Sequence, residues 1–216
     1  MRHNQTLSRR QRERADREKA ILAAAREVFF QEGIHHATVD AIAAKAEVAK
    51  GTVYLYFPSK ETLLAHLVLE GLDSIYSRLE RAYDEGAAHS AETRLRRLAT
   101  AYFDFYVEEP DYFRLLMAFD RGHFRESIGA ELYQTILHRS LAGLHWLVRV
   151  IEQGIAAREL APGDPRRLAG ATWAALNGVL VLTSHPLRRE ILAQDVRALY
   201  DEVMEILLRG MKNNGK

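Results

Sequence analysis

Eleven residues near the N-terminus place positive charge, hydroxyl groups and aromatic rings at close spacing. The segment KGTVYLYFPSK, residues 50–60, begins and ends with lysine and holds Thr52, Tyr54 and Tyr56 between them. Lysine binds phosphate, threonine contacts base edges or a thymine methyl group, and tyrosine hydroxyls reach phosphate oxygens. Gly51 allows close approach of a backbone, because it has no side chain. This chemistry suits the edge of a DNA duplex, whereas the plainer interpretation is a small core helix with exposed tyrosines.

The same segment is ambiguous in its secondary structure. Residues 52–57 are β-branched, aromatic or apolar, and by local propensity they predict a strand. A strand needs a partner, and no other segment of the chain has the pattern of one. A short helix from Gly51 to Phe57 instead places Val53 and Phe57 one turn apart, on a side that can pack on the preceding helix. We therefore predict a helix of poor helix formers that is stabilised by packing.

Short helices on either side must position this segment. The first ends at Gly33, a typical C-terminal cap, and the second begins after Thr38, a typical N-cap. The turn at residues 47–49, with Val48 buried, leads to the third helix, and Ser59 begins a long fourth one. This order of elements outlines a helix-turn-helix, whose second helix reads the major groove of DNA.

The segment from Phe29 to Val68 resembles the DNA-binding domain of the TetR family of transcriptional regulators. The matching pattern is a glycine that ends the first helix, a threonine that opens the second, and the run GTVYLYFPSKE. The resemblance covers about residues 17–70, and the rest of the chain is similar only in its all-helical plan. It implies a dimeric repressor that a small molecule releases from its operator. The DNA-contacting positions that it implies are Thr38, Lys50, Gly51, Thr52, Tyr54, Tyr56 and Lys60.

Helical periodicity continues through the remaining chain, which predicts an all-α protein of about nine helices. We expect a disordered basic arm over residues 1–16, because this part has almost nothing to bury. A helix-turn-helix DNA-binding domain is expected over 17–62, and a ligand-binding and dimerisation domain over 63–216. Further boundaries are a linker at Gly86–Ser90, a helix that ends at Gly122, a long helix from about Ser127 to Arg158, a helix that ends at His185-Pro186, and a last helix from about Ala193 to Met211.

Composition limits the classes of function. The 216 residues include no cysteine, which excludes a disulfide framework, a thiolate nucleophile and a cysteine-based zinc site. No HExxH-like segment, Ser/His/Asp arrangement or phosphate-binding glycine loop stands out, so we expect no enzyme, metal or cofactor. Neither a signal peptide nor a run of about 18 apolar residues is found, which predicts a cytoplasmic protein. Net charge is only +1, but residues 1–60 hold 11 basic and 7 acidic side chains, which indicates an anionic partner for that part.

Two later helices have apolar faces that suggest a partner helix. Small residues recur every four positions on the first, and the last helix has a wider apolar face than one core needs. Two copies of this helix pair would form a four-helix interface with twofold symmetry. The alternative is a core within one chain. The predicted interface residues are Gly170, Ala174, Gly178, Val196, Tyr200, Val203 and Leu207.

The middle helices are rich in aromatic residues with polar tips, a composition typical of a ligand pocket. An aromatic core with internally bonded histidines is the alternative for each of these residues. The predicted effector is a mostly apolar small molecule, and the candidate pocket residues are Tyr102, Tyr106, Met117, His138, Leu141, His145, Trp173 and Asn177.

Together with the resemblance, these features favour a ligand-responsive homodimeric repressor that binds a palindromic operator. Two other hypotheses remain open. One is a DNA-binding regulator whose C-terminal domain responds to a protein partner instead of a small ligand. The other is an all-α carrier of lipids or other hydrophobic molecules, whose N-terminal part is a docking module.

Overall fold

The computed structural model describes residues 9–83, 89–121, 124–192 and 195–213. The described residues form eleven α-helices and contain no β-strand, so the prediction of an all-α fold is confirmed. No described helix is long and apolar enough to cross a membrane. The helices are α1 (Arg9–Glu32), α2 (Val39–Lys45), α3 (Lys50–Tyr56), α4 (Lys60–Tyr83), α5 (Ala91–Glu108), α6 (Pro110–Arg121), α7 (Phe124–Ser127), α8 (Ala130–Ala156), α9 (Pro165–Thr183), α10 (Pro186–Leu192) and α11 (Val196–Met211).

The N-terminal arm differs from its prediction. Residues 1–8 lie outside the described part, but α1 begins at Arg9, so residues 9–16 are helical and not disordered. Charged pairs one turn apart support this polar start, as in the 2.7 Å contact between Arg9 Nε and a Glu13 carboxylate oxygen. The sequence pattern missed this extension because it contains no large apolar residue.

Three predicted helix boundaries are also corrected. The long helix expected from residue 127 is interrupted at Gly129, whose φ of 76° is left-handed, and α8 begins after it. Pro186 does not simply end a helix but occupies the first position of α10, where its missing N–H costs no hydrogen bond. The last helix begins at Val196, since the Asp195 side chain accepts a hydrogen bond from Arg197 N at 2.8 Å. The expected boundaries at 86–88, 122 and 193 lie outside the described residues.

The chain divides into two compact units. The first consists of residues 9–70 and 114–134, and the second of residues 71–113 and 135–213. The expected border between residues 62 and 63 falls within α4 and stays a prediction about function. The core of the first unit includes Ile21, Ala25, Ile42, Val53, Phe57, Leu63 and Leu67.

In the second unit, α5, α9 and α11 pack around an apolar core. Tyr200 of α11 is fully buried, and its hydroxyl donates to the Ala99 carbonyl of α5 at 2.9 Å. At the edge, Arg96 of α5 forms ion pairs with Glu92 of its own helix and Glu205 of α11. Buried apolar contacts and one internal hydrogen bond thus join α11 to α5.

Candidate nucleic-acid interface

The first unit contains the helix-turn-helix that the sequence predicts. Thr38 begins α2 as its N-cap, because its Oγ1 accepts a hydrogen bond from Ala41 N at 3.1 Å. The turn to α3 passes through Glu47, whose φ of 54° is left-handed, and Val48 N donates to the Ala43 carbonyl at 3.0 Å. Val48 is half-buried, so it fills the turn only in part.

Helix α3 is anchored by its inward side. Val53 is 0% exposed and Phe57, its C-terminal cap, is 1% exposed. The Phe57 ring meets His66 of α4 edge to face, with ring centroids 5.3 Å apart. Burial lowers the pKa of His66 below its ordinary value, although the nearby carboxylates of Glu18 and Glu70 act to raise it. The imidazole is therefore neutral at pH 7. The prediction of a helix in place of a strand is confirmed, and packing is the reason.

The other side of α3 faces outward. Lys50, Gly51, Tyr54 and Leu55 are exposed, and Leu55 reaches 78%. A Cβ built on Gly51 would meet no atom within 4 Å, so the backbone there is open to a close neighbour. Thr52 and Tyr56 are half-buried at the edges of this surface. The five residues 50–54 therefore place four of the predicted DNA-contacting groups on or beside one outward ridge.

Lys50 is held across the turn by an acidic residue that the sequence analysis did not single out. Its Nζ donates to Asp40 of α2 at 2.8 Å, and this hydrogen bond raises the pKa of Lys50 above its ordinary value. Both side chains are exposed, so a phosphate can compete with Asp40 for the ammonium group.

Lys60 has a structural contact in addition to its predicted role. Its Nζ donates to the carbonyl oxygens of Ile34 at 2.9 Å and Ala37 at 3.1 Å, in the loop between α1 and α2. Beside it, Ser59 caps α4 through a hydrogen bond from Thr62 N to Ser59 Oγ at 3.1 Å. Lys60 therefore fixes the loop that leads into Thr38, another predicted contact residue.

In the second unit, only part of the predicted pocket set is brought together. The Tyr102 hydroxyl donates to Asn177 Oδ1 at 2.7 Å, and the ring centroids of Tyr106 and Phe113 are 5.0 Å apart. Trp173 is 43% exposed. Met117 is half-buried and belongs to the first unit, so it is described apart from these residues.

Three predicted pocket residues on α8 require a correction. His138, Leu141 and His145 are exposed, because they share the side of α8 opposite the buried residues Ile136 and Val150. They do not line the interior of this unit. They share one helical face, as the sequence predicts, and that face is the outward one.

The interior position on α8 is occupied by Trp146, which is 9% exposed. The ring centroids of Trp146 and Tyr83 are 4.6 Å apart. The guanidinium carbons of Arg94 and Arg149 lie 5.7 Å and 5.2 Å from the centroid of the same Tyr83 ring. Trp146 Nε1 is buried and has no hydrogen-bond partner within the described part of the chain. The spacing of Trp146 and Val150 could have identified it, since the two lie one turn apart.

The predicted interface residues divide between two faces. On α9, Gly170, Ala174 and Gly178 lie away from the buried side, and a Cβ on either glycine would meet nothing within 4 Å. On α11, Val196 and Tyr200 are buried within the same chain, so a partner cannot contact them, and their assignment is corrected. Val203 and Leu207 are half-buried, and the exposed apolar residue nearby is Ile206 at 58%.

Comparison with known proteins decides the family. Residues 21–67 match the bacterial regulatory proteins of the tetR family. The chain is also 30% identical, over 193 residues, to the fatty acid metabolism regulator protein of Bacillus subtilis (strain 168), and the match covers 89% of this chain and 94% of that protein. The chain belongs to the tetR family. It is therefore a helix-turn-helix regulator of transcription.

Two further tetR-type relatives match over most of their length. The transcriptional regulator RutR of Escherichia coli (strain K12) is 26% identical over 214 residues, which are 96% of both chains. The crystal structure of the regulator FadR from Bacillus subtilis in complex with stearoyl-CoA is 26% identical, with a TM-score of 0.66 over 89% of this chain and 98% of that one. Both relatives are regulators of transcription.

The contacts of Lys60 generate a prediction for stability. Lys60→Met keeps the aliphatic stem but leaves the Ile34 and Ala37 carbonyls without their donor, so we expect a loss of about 1–2 kcal/mol. Thermal unfolding followed by circular dichroism measures this loss. Lys50→Met is the matched control and leaves the melting temperature unchanged, since its ammonium contacts only an exposed carboxylate. Equal melting temperatures for Lys60→Met and the wild type would contradict the structural role.

Proposed function

We propose that this protein is a homodimeric, ligand-responsive repressor. It binds a palindromic operator through α3 and is released by a mostly apolar small molecule, for which a long-chain acyl thioester is the first candidate. The observation that carries the proposal is the exposed ridge of α3 on a buried Val53–Phe57 anchor. The relative crystallised with stearoyl-CoA supports the class of effector.

The proposed operator contacts follow from the geometry of the first unit. A DNA phosphate replaces Asp40 as the partner of the Lys50 ammonium group, and Thr52 contacts a base edge. Gly51 lets the start of α3 approach the duplex. Tyr54 and Tyr56 contact the backbone with their hydroxyls, while Thr38 and Lys60 lie at the starts of α2 and α4, which are further places for phosphate contacts.

The proposed dimer uses the outward side of α9 with that of α11. The small residues Gly170, Ala174 and Gly178 permit a second helix to approach closely, and Ile206 adds exposed apolar area. Twofold symmetry presents two α3 helices to the duplex, so the operator is a palindrome with half-sites about 34–36 Å apart or a multiple of that.

The proposed effector site lies in the second unit, among its buried aromatic rings. Tyr102 is already bonded to Asn177, whereas the Trp146 indole N–H lacks an acceptor within the described residues. A buried donor without a partner costs about 1–3 kcal/mol, and a carbonyl or anionic group of an effector would remove that cost. The rings of Tyr83 and Trp146 supply apolar surface beside it.

Release requires that the effector prefer one dimer shape over the other. An effector with equal affinity for both shapes shifts no equilibrium, however tightly it binds. A coupling free energy of about 1–3 kcal/mol corresponds to a 5–150-fold loss of operator affinity.

DNA binding is tested with duplexes that the wild-type protein selects from a random library. Lys50→Ala weakens binding to all of them and lowers the slope of log K against log salt by about 0.9 per protomer. Thr52→Val instead changes the preferred bases, at about 1–3 kcal/mol for the affected pair. Fluorescence anisotropy over a salt series measures both effects. If both variants bind every duplex as the wild type does, α3 does not read DNA.

The dimer is tested by adding bulk to the outward side of α9. Gly178→Leu separates the protomers because its side chain enters the space that a second helix needs, and the mass in sedimentation equilibrium falls to that of one 24.6 kDa chain. Ala44→Leu, at an exposed position of α2, is the control and leaves the dimer intact. A wild-type protein that sediments as a monomer, or a dimeric Gly178→Leu variant, would refute this interface.

The effector class is tested with stearoyl-CoA. We expect it to displace the selected duplex from the wild type, and Trp146→Phe to raise the concentration needed by about 5–10-fold, since one hydrogen bond is lost. Val107→Ala, at an exposed position of α5, is the control and responds like the wild type. Failure of stearoyl-CoA to displace DNA excludes this class, whereas an unchanged Trp146→Phe response excludes only the indole contact.

A further inference from the structure

We infer that the N-terminal part of α1 is a second DNA-binding element, in which Arg10, Arg14 and Arg17 bind phosphates of the duplex beside α3. The inference rests on the proposed operator binding and assigns a partner to a segment that the helix-turn-helix pattern leaves unexplained. Duplex DNA is the ligand class, and its backbone is the part that is contacted.

The three arginines form one stripe along the helix. They recur at steps of four and three residues, and the next step of four reaches Ile21, which is 0% exposed. At about 100° per residue, all three arginines lie within about 40° of Ile21 around the axis. The side of α1 that is buried in the core of the first unit therefore continues, past the end of that core, as a row of guanidinium groups.

A direct contact places this stripe beside the outward ridge of α3. The Arg14 guanidinium carbon lies 5.8 Å from the centroid of the Tyr56 ring, and Tyr56 belongs to α3. A cation over a tyrosine face at this distance is attracted to it. Arg14 is exposed, so its N–H donors stay available to a phosphate.

The arginines of the stripe keep a positive charge that the described residues do not pair. Arg10, Arg14 and Arg17 form no ion pair with a carboxylate of the described residues. Glu13 and Glu18 flank the stripe, each about 40° from its nearest arginine, while Asp16 lies farther round the helix and Glu13 pairs with Arg9. Three guanidinium groups against two flanking carboxylates, one of them paired with Arg9, leave this side of α1 with a net positive charge.

The composition of the segment favours DNA over other partners. Residues 9–20, RRQRERADREKA, contain no apolar side chain larger than alanine. An amphipathic helix that inserts into a membrane surface, or docks in a protein groove, needs large apolar residues on one face. A polar helix with a row of arginines instead gains from releasing the counterions of a phosphate backbone.

The test compares two triple variants that lose the same charge. R10Q/R14Q/R17Q removes the stripe, and R9Q/R12Q/K19Q removes three positive charges that lie outside it. Both keep residues with good helix propensity, and circular dichroism verifies equal helix content. Binding of the full chain to a mixed-sequence DNA duplex is measured by anisotropy over a salt series, with the wild type and Lys50→Ala in parallel.

We expect the stripe variant to lose about 10-fold or more in affinity at 0.1 M salt, and about 0.9 in salt slope for each phosphate contact removed. The control variant stays within about 3-fold of the wild type, since exposed charges farther than a Debye length of about 10 Å are screened. R10K/R14K/R17K restores most of the binding because it restores the charge.

Equal losses in both triple variants would overturn the inference, since net charge alone would then explain them. An unchanged stripe variant would overturn it as well. Loss of binding in Lys50→Ala but not in the stripe variant leaves the proposed function intact and refutes only the DNA-binding role of the stripe. Loss in the stripe variant with unchanged Lys50→Ala binding contradicts the phosphate contact of Lys50, while the role of the stripe stands.

Discussion

The packing of Val53 and Phe57 into the first unit is the interaction on which the DNA-binding surface depends. These two side chains convert a segment with strand propensity into a helix, because their burial outweighs the small penalty of each poor helix former. With them anchored, every residue between is assigned to a side of α3. Phe57 also contacts His66, so the end of α3 is joined to α4 by an aromatic contact.

The outward residues of α3 therefore take no part in the core of the first unit. Leu55 and Tyr54 are exposed, and Gly51 leaves open space where another residue would place a Cβ. Lysines on either side behave differently, since Lys50 is held by an exposed carboxylate and Lys60 by two backbone carbonyls. Two charges that look equivalent in the sequence thus differ, since one pairs with an exposed carboxylate and the other bonds the backbone of a loop.

The second unit shows why an apolar pattern alone does not identify a site. Both sides of α11 carry apolar residues, so periodicity cannot tell which side meets its own core. Burial of Tyr200 and its hydrogen bond to Ala99 decide the question, and they leave Ile206 outward. On α8 the same ambiguity led to the exposed histidines, whereas the buried position is Trp146, whose N–H has no acceptor among the described residues. Only contacts with neighbouring helices distinguish these alternatives.

The sequence by itself determined the all-α class, the helix-turn-helix with Thr38 as a cap, and the identity of the ridge on α3, because these depend on local spacing and on residue types. Tertiary structure decided what depends on distant neighbours: the second role of Lys60, and which sides of α8 and α11 are buried. The physical reason is that a helix presents several sides at once, and propensity and periodicity describe one helix alone. The free energy that selects a side comes from surfaces brought together by the fold.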